Sequence, residues 1–226
     1  MGANQRNSNG ESGETLGQRM AGIGMGIAAK PGWNTEIESA LLDASIAGME
    51  EDDLRVLSLL TTWFGVHHAR VNADRLVRLV LETESKRVHA YWAAVARWQA
   101  RDRRFGRLAT AYRGPRLDLL PVGTGFHVQR RGEDERFSGS PLRVPEGTLR
   151  DRASDVLTPE TMVLRHAGYR NRTLIGPTYR ADVWTELEMA PEMSVSEAAR
   201  RARCSYAAAW QTAQDFRLVK KALGPR

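Results

Sequence analysis

One cysteine, Cys204, stands in 226 residues, so neither a disulfide framework nor a paired-cysteine metal knuckle can form within the chain. A lone thiol suits a reducing, cytoplasmic setting. No uninterrupted apolar run reaches the roughly 18 residues that a membrane-spanning helix needs, and no membrane partner is expected. The apolar stretch from Met20 to Ala29 follows a long polar lead and is broken by three glycines, which reads as flexible tail rather than signal peptide.

Signatures of catalysis are equally scarce. His67, His68, His89, His127 and His166 fall into no HExxH or His-x-His grouping, and no GxSxG elbow is present. The segment Ala21-Gly22-Ile23-Gly24-Met25-Gly26 lacks P-loop spacing, and Lys30 has neither the preceding Gly nor the following Ser/Thr. Asp118 and the run Glu133-Asp134-Glu135 read as an acidic loop rather than a metal site. No enzyme, cofactor or metal centre is expected.

Positive charge is present, and it is concentrated. The net charge is +6. Residues 1–96 carry 9 Lys+Arg against 12 Asp+Glu, and residues 117–193 carry 10 against 12. Residues 97–116 carry 7 against 1, and residues 194–226 carry 7 against 2. Two short segments therefore hold the whole excess, the footprint of a polyanion binder with localised contact surfaces.

The chain is 42% hydrophobic and 27% charged, enough to bury a core, and its pattern is mainly α. Residues 1–34, rich in Gly, Asn and Ser, read as a disordered tail. Residues 35–114 read as a helical domain. Its first helix carries Ile37, Leu41, Leu42 and Ile46 and stops at Gly48, and its second runs from Leu54 to a stop near Gly65. Asn72 caps a third, Ser85 opens a fourth, and Phe105–Tyr112 forms a short fifth. Residues 115–157, with Pro121, Pro141 and Pro145, read as irregular, with Leu117–Leu120 and Gly125–Gln129 as short strands or extended loop. Residues 158–226 read as a helical C-terminal domain opened by Thr158-Pro159-Glu160. In it, Tyr169–Pro177 is an irregular connector and Tyr179–Met189 a helix.

After the break at Pro191, Ser194 and Glu197 have capping-box spacing, in which the Ser hydroxyl takes a free backbone N–H and the Glu reaches back. Ala198, Ala199 and Ala202 give that helix a small apolar face. Arg203-Cys204-Ser205 interrupts it, and Ser205 caps a second helix from Tyr206 to about Leu218, with Ala209, Thr212, Ala213 and Phe216 turned inward.

This run, SVSEAARRARCSYAAAWQTAQDF over residues 194–216, resembles the helix-turn-helix of bacterial transcription regulators. Ala199 sits where that family places a small residue so that the helices cross closely, and Cys204 occupies its small apolar turn position. Arg203 departs from the pattern, standing where the turn usually has Gly, so a left-handed backbone there is less comfortable.

The resemblance implies sequence-specific binding of double-stranded DNA, with the second helix in the major groove. Ser205, Tyr206, Ala207, Trp210 and Gln211 are then the base-contacting residues, Gln211 pairing with adenine and Ala207 touching a thymine methyl. Ser194, Arg200, Arg201, Arg203, Arg217, Lys220 and Lys221 are the phosphate contacts. Trp210 has an alternative as a packing residue against the N-terminal domain, and Cys204 reads as a turn-filling hydrophobe rather than a redox switch. A homodimer follows, with the helical domain serving dimerisation or a protein partner; by analogy that partner could be the toxin of a toxin–antitoxin operon. The second basic patch, with Arg101, Arg103, Arg104 and Arg107 among Trp98, Phe105 and Tyr112, suits phosphates and stacked bases. The helical spacing of its aromatics favours a core role for them, and the patch is open to extending the DNA footprint, contacting RNA or meeting an acidic partner protein. It leaves open an RNA- or nucleoprotein-associated factor, as well as an enzyme merely targeted to DNA.

Overall fold

A computed structural model describes residues 13–224; the first part of the expected tail, residues 1–12, lies outside them. The fold is mainly α, as expected. The helices are α1 Leu16–Gly22, α2 Ile37–Glu50, α3 Leu54–His67, α4 Ala73–Glu82, α5 Lys86–Trp98, α6 Gly106–Ala109, α7 Thr124–Arg131, α8 Pro159–Arg165, α9 Ala167–Ile175, α10 Tyr179–Met189, α11 Val195–Arg201 and α12 Tyr206–Leu223. Two strands, β1 Leu117–Asp118 and β2 Leu142–Arg143, pair in parallel.

Local chemistry starts most of these helices. Asp53 accepts from the amides of Arg55 and Val56, Asn72 from Arg75, and Ser85 from Val88. Thr158 accepts from Thr161 with Pro159 just inside the helix, and the His166 ring accepts from Tyr169. Each cap satisfies a donor that the first turn leaves unpaired.

The large core is built from α2 to α5, led by Leu41, Leu57, Trp63, Phe64, Tyr91 and Trp92, all fully buried. It also takes in Phe137, Leu142 and Val144 from the middle segment, and Met162 and Tyr169 from α8 and α9. A second, smaller core joins α10, α11 and α12. The helices α8 and α9, which belong to the expected C-terminal domain of residues 158–226, thus contribute Met162 and Tyr169 to the large core.

Several sequence expectations are corrected here. Residues 13–34 are part of the fold: Thr15 and Gln18 form a capping box that starts α1, and Met20, Ile23 and Met25 are buried in the large core. The Trp63 indole donates to the Ile23 carbonyl at 2.7 Å. The glycines there provide close approach. Gly24 has φ +84°, and a Cβ on it would lie 2.6 Å from the Met162 sulfur.

Gly48 and Gly65 do not stop their helices, which run on to Glu50 and His67. A Cβ on Gly48 would fall 2.7 Å from Leu57 Cδ1, and one on Gly65 would fall 2.9 Å from the Trp98 ring. Both glycines are places where two helices touch. The fifth helix is shorter than Phe105–Tyr112, spanning Gly106–Ala109 after a 3-10 turn at Arg103–Phe105. Gly125–Gln129 is helical within α7, which starts after Gly123 at φ +85°. The partner of Leu117-Asp118 is Leu142-Arg143, where Arg143 also grips the Asp118 carboxylate at 2.7 and 3.0 Å. Tyr169–Pro177 is largely α9, because the His166 ring replaces the usual Ser or Asp as cap.

Candidate nucleic-acid interface

The helices α10, α11 and α12 enclose Val183, Leu187, Ala198, Ala199, Ala202, Ala209, Ala213 and Phe216. Five of these eight are alanines, so the helices cross with little side-chain volume between them. Trp184 meets Phe216 edge-on, ring centroids 5.1 Å apart. Ser194 caps α11 through the Glu197 amide at 3.1 Å, and Ser205 caps α12 through the Ala208 amide at 3.2 Å. The reciprocal half of the expected capping box does not form. The Glu197 carboxylate instead takes Arg200 and Arg201, at 2.5 and 2.7 Å. Those two guanidinium groups pull its pKa down to about 2.

The turn between α11 and α12 closes by two backbone bonds. The Cys204 amide donates to the Ala199 carbonyl at 3.0 Å, and the Arg203 amide to the Arg200 carbonyl at 3.2 Å. This is the Schellman arrangement, which needs a left-handed residue between them. Arg203 supplies it at φ +52°, at a cost of about 1–2 kcal/mol for a residue with a Cβ. Two arginines of α4 hold the strained turn. Arg75 donates to the Arg201 carbonyl at 3.0 Å, and Arg78 to the Arg203 carbonyl at 3.2 Å. Cys204 is half-buried against the small core, and burial pushes its thiol pKa up, so it is less nucleophilic than a free thiol.

A buried charge cluster fixes this three-helix unit to the larger body. Arg172 of α9 forks onto Glu38 at 2.7 and 2.9 Å and reaches Asp182 of α10 at 2.8 Å. Asp182 also accepts from the Asn72 amide nitrogen at 2.9 Å and from Arg75 at 3.4 Å. Arg75 Nε faces Glu36 Oε1 at 2.7 Å, an ion pair whose angle falls outside hydrogen-bonding geometry. Burial works against the Arg172 charge, but Asp182 and Glu38 outweigh it and the net shift is upward. None of these six residues stood out as a sequence candidate for the site. The signal available was a charge on an apolar helical stripe, as with Glu38 beside Ile37 and Leu41, or Arg75 beside Leu76 and Leu79.

The expected base-contacting residues Ser205, Tyr206, Ala207, Trp210 and Gln211 all lie on the exposed side of α12, with Trp210 45% exposed. Arg217, Lys220 and Lys221 are exposed further along the same helix, where the Lys220 ammonium sits 5.6 Å from the Phe216 ring centre. Ser194 is exposed at the start of α11. Arg200, Arg201 and Arg203 are placed differently. They line a cavity of about 500 Å³ between α11 and the segment joining α1 to α2. Arg201 is shared between Glu197 and Glu186.

In the second basic patch, Phe105 and Tyr112 are buried and Trp98 half-buried, so the aromatics pack inward. Arg104 is committed to structure, donating to the Val71 and His68 carbonyls and to Asp102. Arg101, Arg103 and Arg107 are exposed. Among the described residues, no group of three or more His, Cys, Asp or Glu is arranged to hold a metal ion, and no helix is long and apolar enough to cross a membrane. No family model, curated protein or solved structure matches the chain.

Proposed function

We propose that this chain binds double-stranded DNA through α12 and acts as a transcriptional regulator, working as a cytoplasmic homodimer whose larger helical body serves dimerisation or a protein partner. The observation that carries the reading is the three-helix unit itself: a capped helix whose Tyr206, Ala207, Trp210 and Gln211 side is exposed while Ala209, Thr212, Ala213 and Phe216 are buried. The exposed groups suit base edges: Gln211 offers a donor and an acceptor to adenine, and Ala207 a methyl to thymine. Ser194 at the head of α11, with Arg217, Lys220 and Lys221, suits the flanking phosphates. Arg200, Arg201 and Arg203 contribute less to that footprint, since all three line the cavity beside the turn and Arg201 is shared between Glu197 and Glu186. RNA binding through the second patch has weaker support, because Phe105 and Tyr112 are buried away from stacking contact.

Fluorescence anisotropy with a duplex pool of random sequence, single-stranded DNA and RNA, each at two salt concentrations, tests the reading. The expected result is preference for the duplex and an affinity that falls steeply with salt. Selection of bound duplexes from the pool should then enrich a common half-site. Equal binding to all three nucleic acids, or binding to none, overturns it.

A further inference from the structure

The cavity beside the inter-helix turn has the size of a small-molecule site, typically ~300–1,000 Å³. It is lined by Arg200 of α11 and Arg203 of the turn that follows, and by Trp33 and Asn34 of the connector between α1 and α2. Most of its charged groups are already committed. Arg75 and Arg172 belong to the buried cluster, Arg201 is shared by Glu186 and Glu197, and Arg19 pairs with Asp43 at 2.5 Å. Glu14 accepts from the Trp33 amide.

Two cations remain loosely held. Arg203 approaches Glu36 only at 3.8 Å, and that carboxylate is already engaged by Arg75. Arg200, 68% exposed, pairs with Glu197 on its own helix, a solvent-screened surface pair that holds its guanidinium weakly. The Trp33 side chain lines the same cavity and is 84% exposed, a large apolar surface with nothing over it. The Asn34 side-chain oxygen is buried without a hydrogen-bond partner, an unsatisfied acceptor that a rotation of its amide brings to an incoming N–H or O–H.

We propose that this cavity binds a small flat aromatic carboxylate. The carboxylate lies between the Arg203 and Arg200 guanidinium groups, the ring lies against Trp33, and a ring donor meets Asn34 Oδ1. A DNA duplex is too wide to enter, so the site is separate from the α12 surface. It is nevertheless coupled to it. Arg203 is two residues from Ser205, the cap of α12, and its left-handed backbone sets the direction in which that helix leaves the turn. A ligand bridging Trp33 to Arg203 fixes the turn against the larger body and changes duplex affinity. This coupling rests on the DNA-binding reading above; ligand binding itself does not.

Isothermal titration calorimetry on the full chain tests the site, with indole-3-acetate as the probe and with neutral indole and inorganic phosphate as comparators. Saturable one-to-one binding of indole-3-acetate is expected, with indole and phosphate each far weaker. Arg203→Gly should weaken binding about tenfold or more, the effect of removing one charge-assisted hydrogen bond. It should do so in a folded protein, because glycine adopts φ +52° without strain. Trp33→Ala, at an exposed position, should weaken binding comparably. No saturable binding of indole-3-acetate, binding unchanged in both variants, or phosphate binding equally well each overturns the site. Saturating indole-3-acetate should shift duplex affinity about fivefold or more. A bound ligand with duplex affinity unmoved removes the coupling alone. A protein that binds the ligand but no duplex removes the DNA reading and leaves the site standing.

Discussion

The guanidinium of Arg172 and the carboxylate of Asp182 meet at 2.8 Å, both buried, and join α9 of the larger body to α10 of the three-helix unit. Because Glu38 grips the far side of the same guanidinium, the orientation of α12 relative to the rest of the protein depends on a largely buried charge cluster.

Breaking that ion pair should be costly. Asp182→Ala leaves Arg172 and Arg75 short of a compensating charge, and loss of one partner from a buried pair typically costs about 3–5 kcal/mol. Urea unfolding should show a fall of that size, whereas Arg200→Ala, removing a solvent-screened surface pair, should leave the unfolding midpoint nearly unchanged.

The glycines divide by what surrounds them. Gly48→Ala and Gly65→Ala place a methyl against Leu57 and Trp98, and overpacking of this kind costs about 1–3 kcal/mol. Gly125→Ala, within α7 and with nothing inside 4 Å of its added methyl, should instead stabilise by roughly 0.5–1 kcal/mol from helix propensity. Thermal melts should therefore move down for the first two variants and up for the third.

Acid should destabilise the fold through two neutral histidines. His67 Nε2 lies 2.9 Å from the Leu157 carbonyl and must donate to it, so Nδ1 accepts from the Tyr169 hydroxyl at 2.8 Å. Burial lowers its pKa to about 4. His166 is likewise lowered, chiefly by burial, while its ring caps α9 and donates to the Thr35 carbonyl. Folded pKa values below the unfolded value of 6.5 mean that the unfolded chain takes up protons first as pH falls. Above pH 6.5 neither histidine makes stability depend on pH. Below it, stability should drop with a slope of up to about 1.4 kcal/mol per pH unit for each, His67 ceasing to add to the slope near pH 4. Unfolding curves from neutral pH down to about pH 4.5 measure the slope, and His67→Gln should make it shallower.

On the DNA reading, Gln211→Ala should relax preference at one base pair, at a cost of about 1–3 kcal/mol on the favoured sequence. Lys220→Ala with Lys221→Ala should weaken all duplexes alike and reduce the salt slope by ~0.9 for each phosphate no longer neutralised. Anisotropy titrations across a salt series separate the two. A Gln211→Ala variant with unchanged preference removes that residue from the reading surface.

The helix starts at Asn72, Ser85, Thr158, Ser194 and Ser205 were legible in the sequence because a cap and its target amide lie within three residues of each other. The inward faces of α11 and α12 were legible for a similar reason, since spacing alone places Ala198, Ala199, Ala202, Ala209, Ala213 and Phe216 on facing stripes. Tertiary structure decided everything that depends on which element comes near. It made Gly48 and Gly65 places of helix–helix approach rather than stops, and drew Met20 and Met25 out of an apparent tail into the core. It put Arg203, with its left-handed backbone, and Trp33 on the lining of one cavity. Short-range hydrogen bonds and helical periodicity are written into consecutive residues, but close packing and buried charge pairing join residues as far apart as Glu38 and Arg172, whose meeting no local pattern encodes.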